Sequence, residues 1–166
     1  MTTKTNLYTL NYNEARTYLW TAVFVVCNLL LPQVCHLLPQ GGVILSPLSL
    51  VIMVGAYKFG WRAGLLAAVV SPLVNHLATG LPAWGILQVM TVKLMILTLI
   101  SGFTAQYFRK VTIPLLIGVV LATKVLGGLG ELALTGGIET TVADVTIGWP
   151  SMLIQIAGTY LICKFL

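Results

Sequence analysis

The stretch 84-WGILQVMTVKLMILTLISGFTAQYF-108 carries one formal charge, Lys93, in an otherwise apolar or uncharged run. At about 1.5 Å of rise per residue such a run crosses the roughly 30 Å of a bilayer's hydrocarbon core as a single helix. A second stretch, 113-IPLLIGVVLATKVLGGLGELAL-134, repeats the pattern with Lys124 near its middle and Glu131 towards its end. A charge at the centre of a membrane helix costs roughly 2.5 to 3.5 kcal/mol on insertion scales, so such a residue has a partner or a task. These two lysines are the first candidates for function.

The whole chain fits the membrane premise. Of its 166 residues, 58% are hydrophobic and only 8% charged, with a mean hydropathy of +0.97, against about 25% charged in an ordinary soluble domain. Nine basic and four acidic side chains cannot coat a water-facing surface of this size. Divided by the roughly 20 residues of a membrane helix, the length predicts about six spans in one integral membrane domain covering residues 1–166.

The predicted spans are residues 17–38, interrupted by Pro32; 43–59, with Pro47 in its first turns; 61–79; 84–108; 113–134; and 145–166. Breakers set their limits: Pro39 to Gly42, Gly60, Gly80 to Pro82, Arg109 with Lys110, and Gly136 with Gly137. Apolar residues surround most of each helix, so periodicity assigns few faces. The second and third spans are short enough to be tilted or partly re-entrant.

Apart from Lys93 and Lys124, Lys and Arg fall between the spans or at their ends, as Lys4 with Arg16, Lys58 with Arg62, Arg109 with Lys110, and Lys164. All four groups lie on one side of a six-helix arrangement, and the opposite connections, near His36, Gly80 and Glu139, have none. The positive-inside rule therefore predicts both termini in the cytoplasm, with residues 1–16 as a short cytoplasmic segment. The apolar run begins late, after Glu14 and Arg16, and lacks an Ala-x-Ala-like site, unlike a cleaved signal peptide.

In this topology Lys93 and Lys124 share a layer roughly 13 to 15 Å below the outer face. Gln155 lies roughly 10 Å down the last helix, Gln88 above Lys93, and Glu131 two turns above Lys124. Asn75 and His76 sit near the outer end of the third helix, and Trp84 begins the fourth. The polar set predicts an outward-facing pocket with two ammonium groups for a carboxylate or phosphate. A structural network is the competing reading, since Glu131 can neutralise either lysine. Interface belts, helix ends and interhelical bonds account for Trp84, His76 and Gln155 as readily as ligand contact does. Gly127, Gly128 and Gly130 either admit a close approach or mark a break.

Other chemistries find little support. Cys27, Cys35 and Cys163 read as small packing residues, and Cys35 beside His36 has no second pair of ligands at metal-binding spacing. No metal or cofactor is expected. The pI of about 9.3 is explained by topology, not nucleic acid. No phosphate loop of the Gly-x-x-x-x-Gly-Lys-Ser/Thr type is present.

From Pro47 to Ala83 the sequence resembles the substrate-binding S components of energy-coupling factor (ECF) transporters. Pro47, Gly55, Ala56, Tyr57, Gly60, Gly64, Ser71, Pro72, Leu73, Thr79, Gly80, Leu81 and Pro82 fall at matching intervals without a gap. Gly148, Trp149 and Pro150 look like the Gly-Leu-Pro that leads into the last helix of many relatives. Ser49 stands where many relatives have His, and Thr17 with Thr21, or Ala22 with Val26, replaces the Ala-x-x-x-Ala motif that often contacts the scaffold.

The resemblance implies a six-helix, multi-pass protein of a prokaryotic plasma membrane that captures a vitamin-like molecule from outside. It implies partnership with a membrane scaffold subunit and two ATPases, which supply the energy while the S component reorients in the bilayer. Two lysines with glutamine and asparagine suit an acidic ligand such as pantothenate or nicotinate, and a site neutralised by Glu131 would suit an uncharged or cationic one instead; the acidic ligand is the one favoured. The residues expected at the substrate are Lys93, Lys124, Gln155, Gln88, His76, Asn75, Glu131 and Trp84. No catalytic role is expected. A self-sufficient small transporter or channel is the rival reading, and a small membrane enzyme the more distant one, for want of an acid-base or nucleophile pair.

Overall fold

The structure, a computed structural model, describes residues 11–35 and 46–165. The described chain is all helical, with seven helices and no strand: α1 (Ala15–Cys35), α2 (Pro47–Phe59), α3 (Trp61–Thr79), α4 (Trp84–Phe108), α5 (Ile113–Thr135), α6 (Glu139–Thr146) and α7 (Trp149–Phe165). Lys4, His36, Pro39 to Gly42 and the start of the second predicted span lie outside the described residues.

The breakers act where their chemistry requires. Gly80 and Gly136 end α3 and α5 at φ 73°, and their N–H groups bond back to the carbonyls of His76 and Leu132. That left-handed cap is the conformation glycine adopts without a Cβ penalty. Pro47 and Pro114 stand in the first turns of α2 and α5, where a missing N–H costs nothing.

Three helices, α1, α4 and α5, are long and apolar enough to cross a membrane. The pair α6 and α7 makes a fourth if counted as one span, bent by 71° between them. The expected start of the last span at residue 145 therefore falls inside α6, and α7 begins at Trp149.

The distribution of polarity is compatible with a chain surrounded by lipid. Thr17, Thr21, Asn28, Ser71, Asn75, Thr98, Ser101, Ser151 and Thr159 are buried. Large apolar side chains stand outside, among them Leu19, Val23, Val26 and Leu30 on α1 and Ile117, Leu121, Val125 and Leu129 on α5. In water these stripes would be a severe liability, whereas against acyl chains they cost nothing, and buried hydroxyls and amides join the helices. Asn28 Nδ2 donates to Ser71 Oγ at 3.0 Å, and Asn75 Nδ2 donates to the Asn28 and Ser71 carbonyls at 2.9 and 3.0 Å, tying α1 to α3.

The centre of the bundle is α2, which packs against α1, α3, α4 and α7. Every residue from Val51 to Gly60 is buried, Lys58 included. Lys58, grouped by the sequence with Arg62 at the junction of the second and third spans, lies in the last turn of α2. Tyr57 donates its hydroxyl to the Lys110 carbonyl at 2.6 Å and fixes α2 to the turn between α4 and α5. The close approach of α2 and α3 depends on Gly64, where an added Cβ would lie 2.8 Å from Ala56 Cβ and 2.9 Å from Ala56 Cα.

Candidate functional site

A cavity of about 320 Å³ opens between α2, α4, α5, α6 and α7. Its walls are apolar, with Val89, Met90, Leu94, Leu97 and Val120 prominent, and Lys93, Lys124, Asp144 and Gln155 supply polar groups. Ser46 and Ser49 line it from the α2 side, and Thr140 and Thr141 from α6. A mainly apolar concavity with a few convergent polar groups is the usual form of a small-molecule site, and this one lies at the small end of the roughly 300 to 1,000 Å³ range.

The antiparallel run of α4 and α5 brings the two lysines to one level. Both reach the same oxygen, Asp144 Oδ2, from 3.3 Å for Lys93 and 3.5 Å for Lys124. Lys93 also meets Glu131 Oε2 at 3.0 Å and donates to Thr140 Oγ1 at 2.7 Å. An ammonium has three N–H donors, so Lys93 is saturated. Lys124 makes a single ionic contact, to Asp144, among the described residues. The two lysines are chemically unequal, a distinction that depth in a helix does not reveal.

Glu131 is the organising group. It is 2% exposed, and beyond Lys93 it accepts the Thr140 N–H at Oε1, 2.7 Å, and the Thr141 N–H and hydroxyl at Oε2, 2.8 and 2.6 Å. Those two amides belong to the first turn of α6, whose own N-cap position, Ile138, has no side chain able to accept them. The glycine run provides the space. A Cβ on Gly127 would sit 3.2 Å from Lys93 Cγ, and one on Gly128 3.0 Å from Thr141 Cγ2. α5 runs unbroken through this segment, so the glycines admit neighbours and do not interrupt the helix.

Of the expected substrate residues, Lys93, Lys124 and Gln155 line the cavity, and Glu131 lies directly behind Lys93. The other four are placed elsewhere. Asn75 is buried in the α1–α3 contact. His76 Nδ1 lies 2.8 Å from the Pro82 carbonyl oxygen, its ring centroid 5.6 Å from that of Trp84, so this pair closes the turn between α3 and α4. Gln88 is exposed on the flank of α4. Asp144, Thr140, Thr141, Thr123, Ser46 and Ser49 are the polar cavity residues absent from the sequence-based expectation. The available signal was the run 139-ETTVADVT-146, whose Thr140 and Asp144 stand four apart and so share a helical face.

The described residues hold no cluster of three or more His, Cys, Asp or Glu side chains poised for a metal ion. The two lysines balance two carboxylates, which leaves a neutral, hydrogen-bonding floor beneath apolar walls. Such a site can orient a small ligand by its polar end and bury its body. Comparison with models of protein families, with curated proteins and with solved structures finds no match to this chain.

Proposed function

We propose that this chain is the substrate-capture subunit of an ECF-type importer, taking up a small vitamin-like molecule, weighted towards an acidic one. The observation that carries the reading is the cavity inside a bundle of apolar-faced helices, with Lys124, Lys93, Asp144 and Gln155 converging on it. The sequence pattern from Pro47 to Ala83 falls on α2, α3 and the turn that follows.

In this reading the chain spans the membrane six times with both termini cytoplasmic, in the plasma membrane of a prokaryote. α2 and α3 are counted as spans although neither meets the length and hydropathy of a free-standing one. Burial of α2 among its neighbours supports this, because short or irregular segments are tolerated at membrane depth where protein surrounds them. A scaffold subunit and two ATPases complete the importer. Of the two small-residue pairs on α1, Thr17 with Thr21 is buried, while Ala22 with Val26 faces outward and remains accessible to a scaffold helix.

The test is a thermal-shift and native mass spectrometry screen of the purified full chain against water-soluble vitamins and their precursors, pantothenate and nicotinate included. Saturable binding by the isolated chain, with uptake into vesicles only after scaffold and ATPases are co-reconstituted, is the expected result. Uptake by the chain alone would favour a self-sufficient transporter. A hit bound unchanged by both Lys93→Ala and Lys124→Ala would remove the site from this cavity.

A further inference from the structure

We infer that Asp144 is a built-in stand-in for the ligand's acid group, holding Lys124 in the empty site and leaving it when a carboxylate on an apolar body arrives. The inference rests on the ligand-capture reading above and refines it, giving the ligand's charge and the one ammonium that receives it.

The two acids of the site differ in every respect that bears on exchange. Glu131 is 2% exposed and is held by two backbone amides, a hydroxyl and Lys93, so removing it would strand four donors. Asp144 is 30% exposed, and its contacts are the two ammonium groups at 3.3 and 3.5 Å, both through Oδ2. It also stands in the last turn of α6, where the helix dipole disfavours a negative charge. Its position is therefore maintained by the lysines, not by its own helix.

The lysines divide in the same way. Losing Asp144 leaves Lys93 with Glu131 and Thr140, whereas Lys124 has no other ionic partner among the described residues. Lys124 lines the cavity together with Gln155 and the apolar walls, so an incoming carboxylate meets an ammonium with open N–H positions. Exchange of one carboxylate for another keeps the ammonium neutralised at each stage, which a charge in an apolar bundle requires. A neutral amide analogue gains no such exchange, so the site discriminates between an acid and its amide.

Because the exchange needs only the acid group, sodium acetate is the probe, with acetamide as the neutral control and sodium chloride at equal ionic strength. The full chain in detergent is titrated with each while its unfolding temperature is followed. In Asp144→Asn the apparent acetate affinity is expected to tighten about tenfold over the native chain, the factor for a competing group in place about nine-tenths of the time. The acetate response is expected to vanish in the Lys124→Ala/Asp144→Asn double variant, and acetamide to do nothing in either. Asp144→Ser is the second variant should Asp144→Asn not yield folded protein. Equal acetate affinity in the native chain and the Asp144 variants overturns the inference, as does an acetate response that survives loss of Lys124. If acetate behaves as expected but no vitamin or precursor binds, the exchange stands and the capture reading fails; if a vitamin binds and acetate affinity is unchanged, the reverse holds.

Discussion

Glu131 caps a helix to which it does not belong: its Oε2 accepts both the amide and the hydroxyl of Thr141, at 2.8 and 2.6 Å, across the gap from α5 to α6. Through this contact the charge that neutralises Lys93 is also the charge that starts α6. Replacing Glu131 with Gln keeps its shape, removes the charge opposite Lys93 and leaves one accepting oxygen for the α6 donors in place of two. The expected loss is roughly 3 kcal/mol of stability, since breaking a buried ionic contact leaves the partner charge uncompensated. Thermal unfolding measures that loss, and hydrogen exchange across residues 139–146 should rise with it; unchanged exchange there would mean α6 is held by something else.

The two lysines should separate under mutation. Lys93→Met strands the buried Glu131 and is expected to cost about 3 kcal/mol. Lys124→Met removes one contact to a partly exposed acid, so its cost should stay within about 1 kcal/mol. Unfolding of both variants in the same detergent gives the comparison, and equal losses would contradict the division of roles.

Much of this architecture is legible in the sequence, for identifiable reasons. Gly60, Gly80 and Gly136 each fall at a helix end because only glycine takes their backbone angles cheaply. The shared level of Lys93 and Lys124 follows from a fixed rise per residue, which measures depth well. Depth says nothing about direction around the axis. In helices apolar on all sides no stripe reveals which face turns inward, so position in the outer half alone groups Asn75, His76, Gln88 and Trp84 with the lysines, though they point elsewhere. α6 was hidden for another reason. Its eight residues are too short to be a stable helix on their own, and the cap that supports them comes from a residue in α5.

Gly64 and Gly118 make a matched pair, both within helices and opposite in surroundings. A Cβ on Gly64 would press on Ala56 backbone at 2.9 Å and on Thr98 Cγ2 at 2.9 Å, whereas one on Gly118 meets nothing within 4 Å. Gly64→Ala is expected to destabilise by about 1 to 3 kcal/mol through overpacking. Gly118→Ala is expected to stabilise by about 0.5 to 1 kcal/mol by restricting the unfolded chain. Shifts of the same sign in a thermal melt would show that the α2–α3 contact is looser than described.

Ser71→Ala tests the polar seam between α1 and α3. It removes the only acceptor of Asn28 Nδ2 among the described residues, in a side chain whose Oδ1 already lacks a partner there. The expected cost is about 1 kcal/mol, in the range of interhelical hydrogen bonds in membranes. A neutral result would mean that water or the carbonyl of a neighbour takes over the bond.

Under the six-span reading proposed above, the enclosure of α2 bears on how the chain would enter the bilayer in the first place. A helix of 13 residues extends only about 20 Å, short of the hydrocarbon thickness, and it ends beside a lysine. Emerging from the ribosome before α3, α4 and α7 exist, it has only α1 of the four helices that later surround it. Its final position is therefore a product of assembly, reached when later helices arrive, and nascent chains stalled where α2 has left the ribosome but α3 and α4 have not should leave this segment accessible to water-soluble thiol reagents at cysteines placed along it. Full-length chains should protect the same positions.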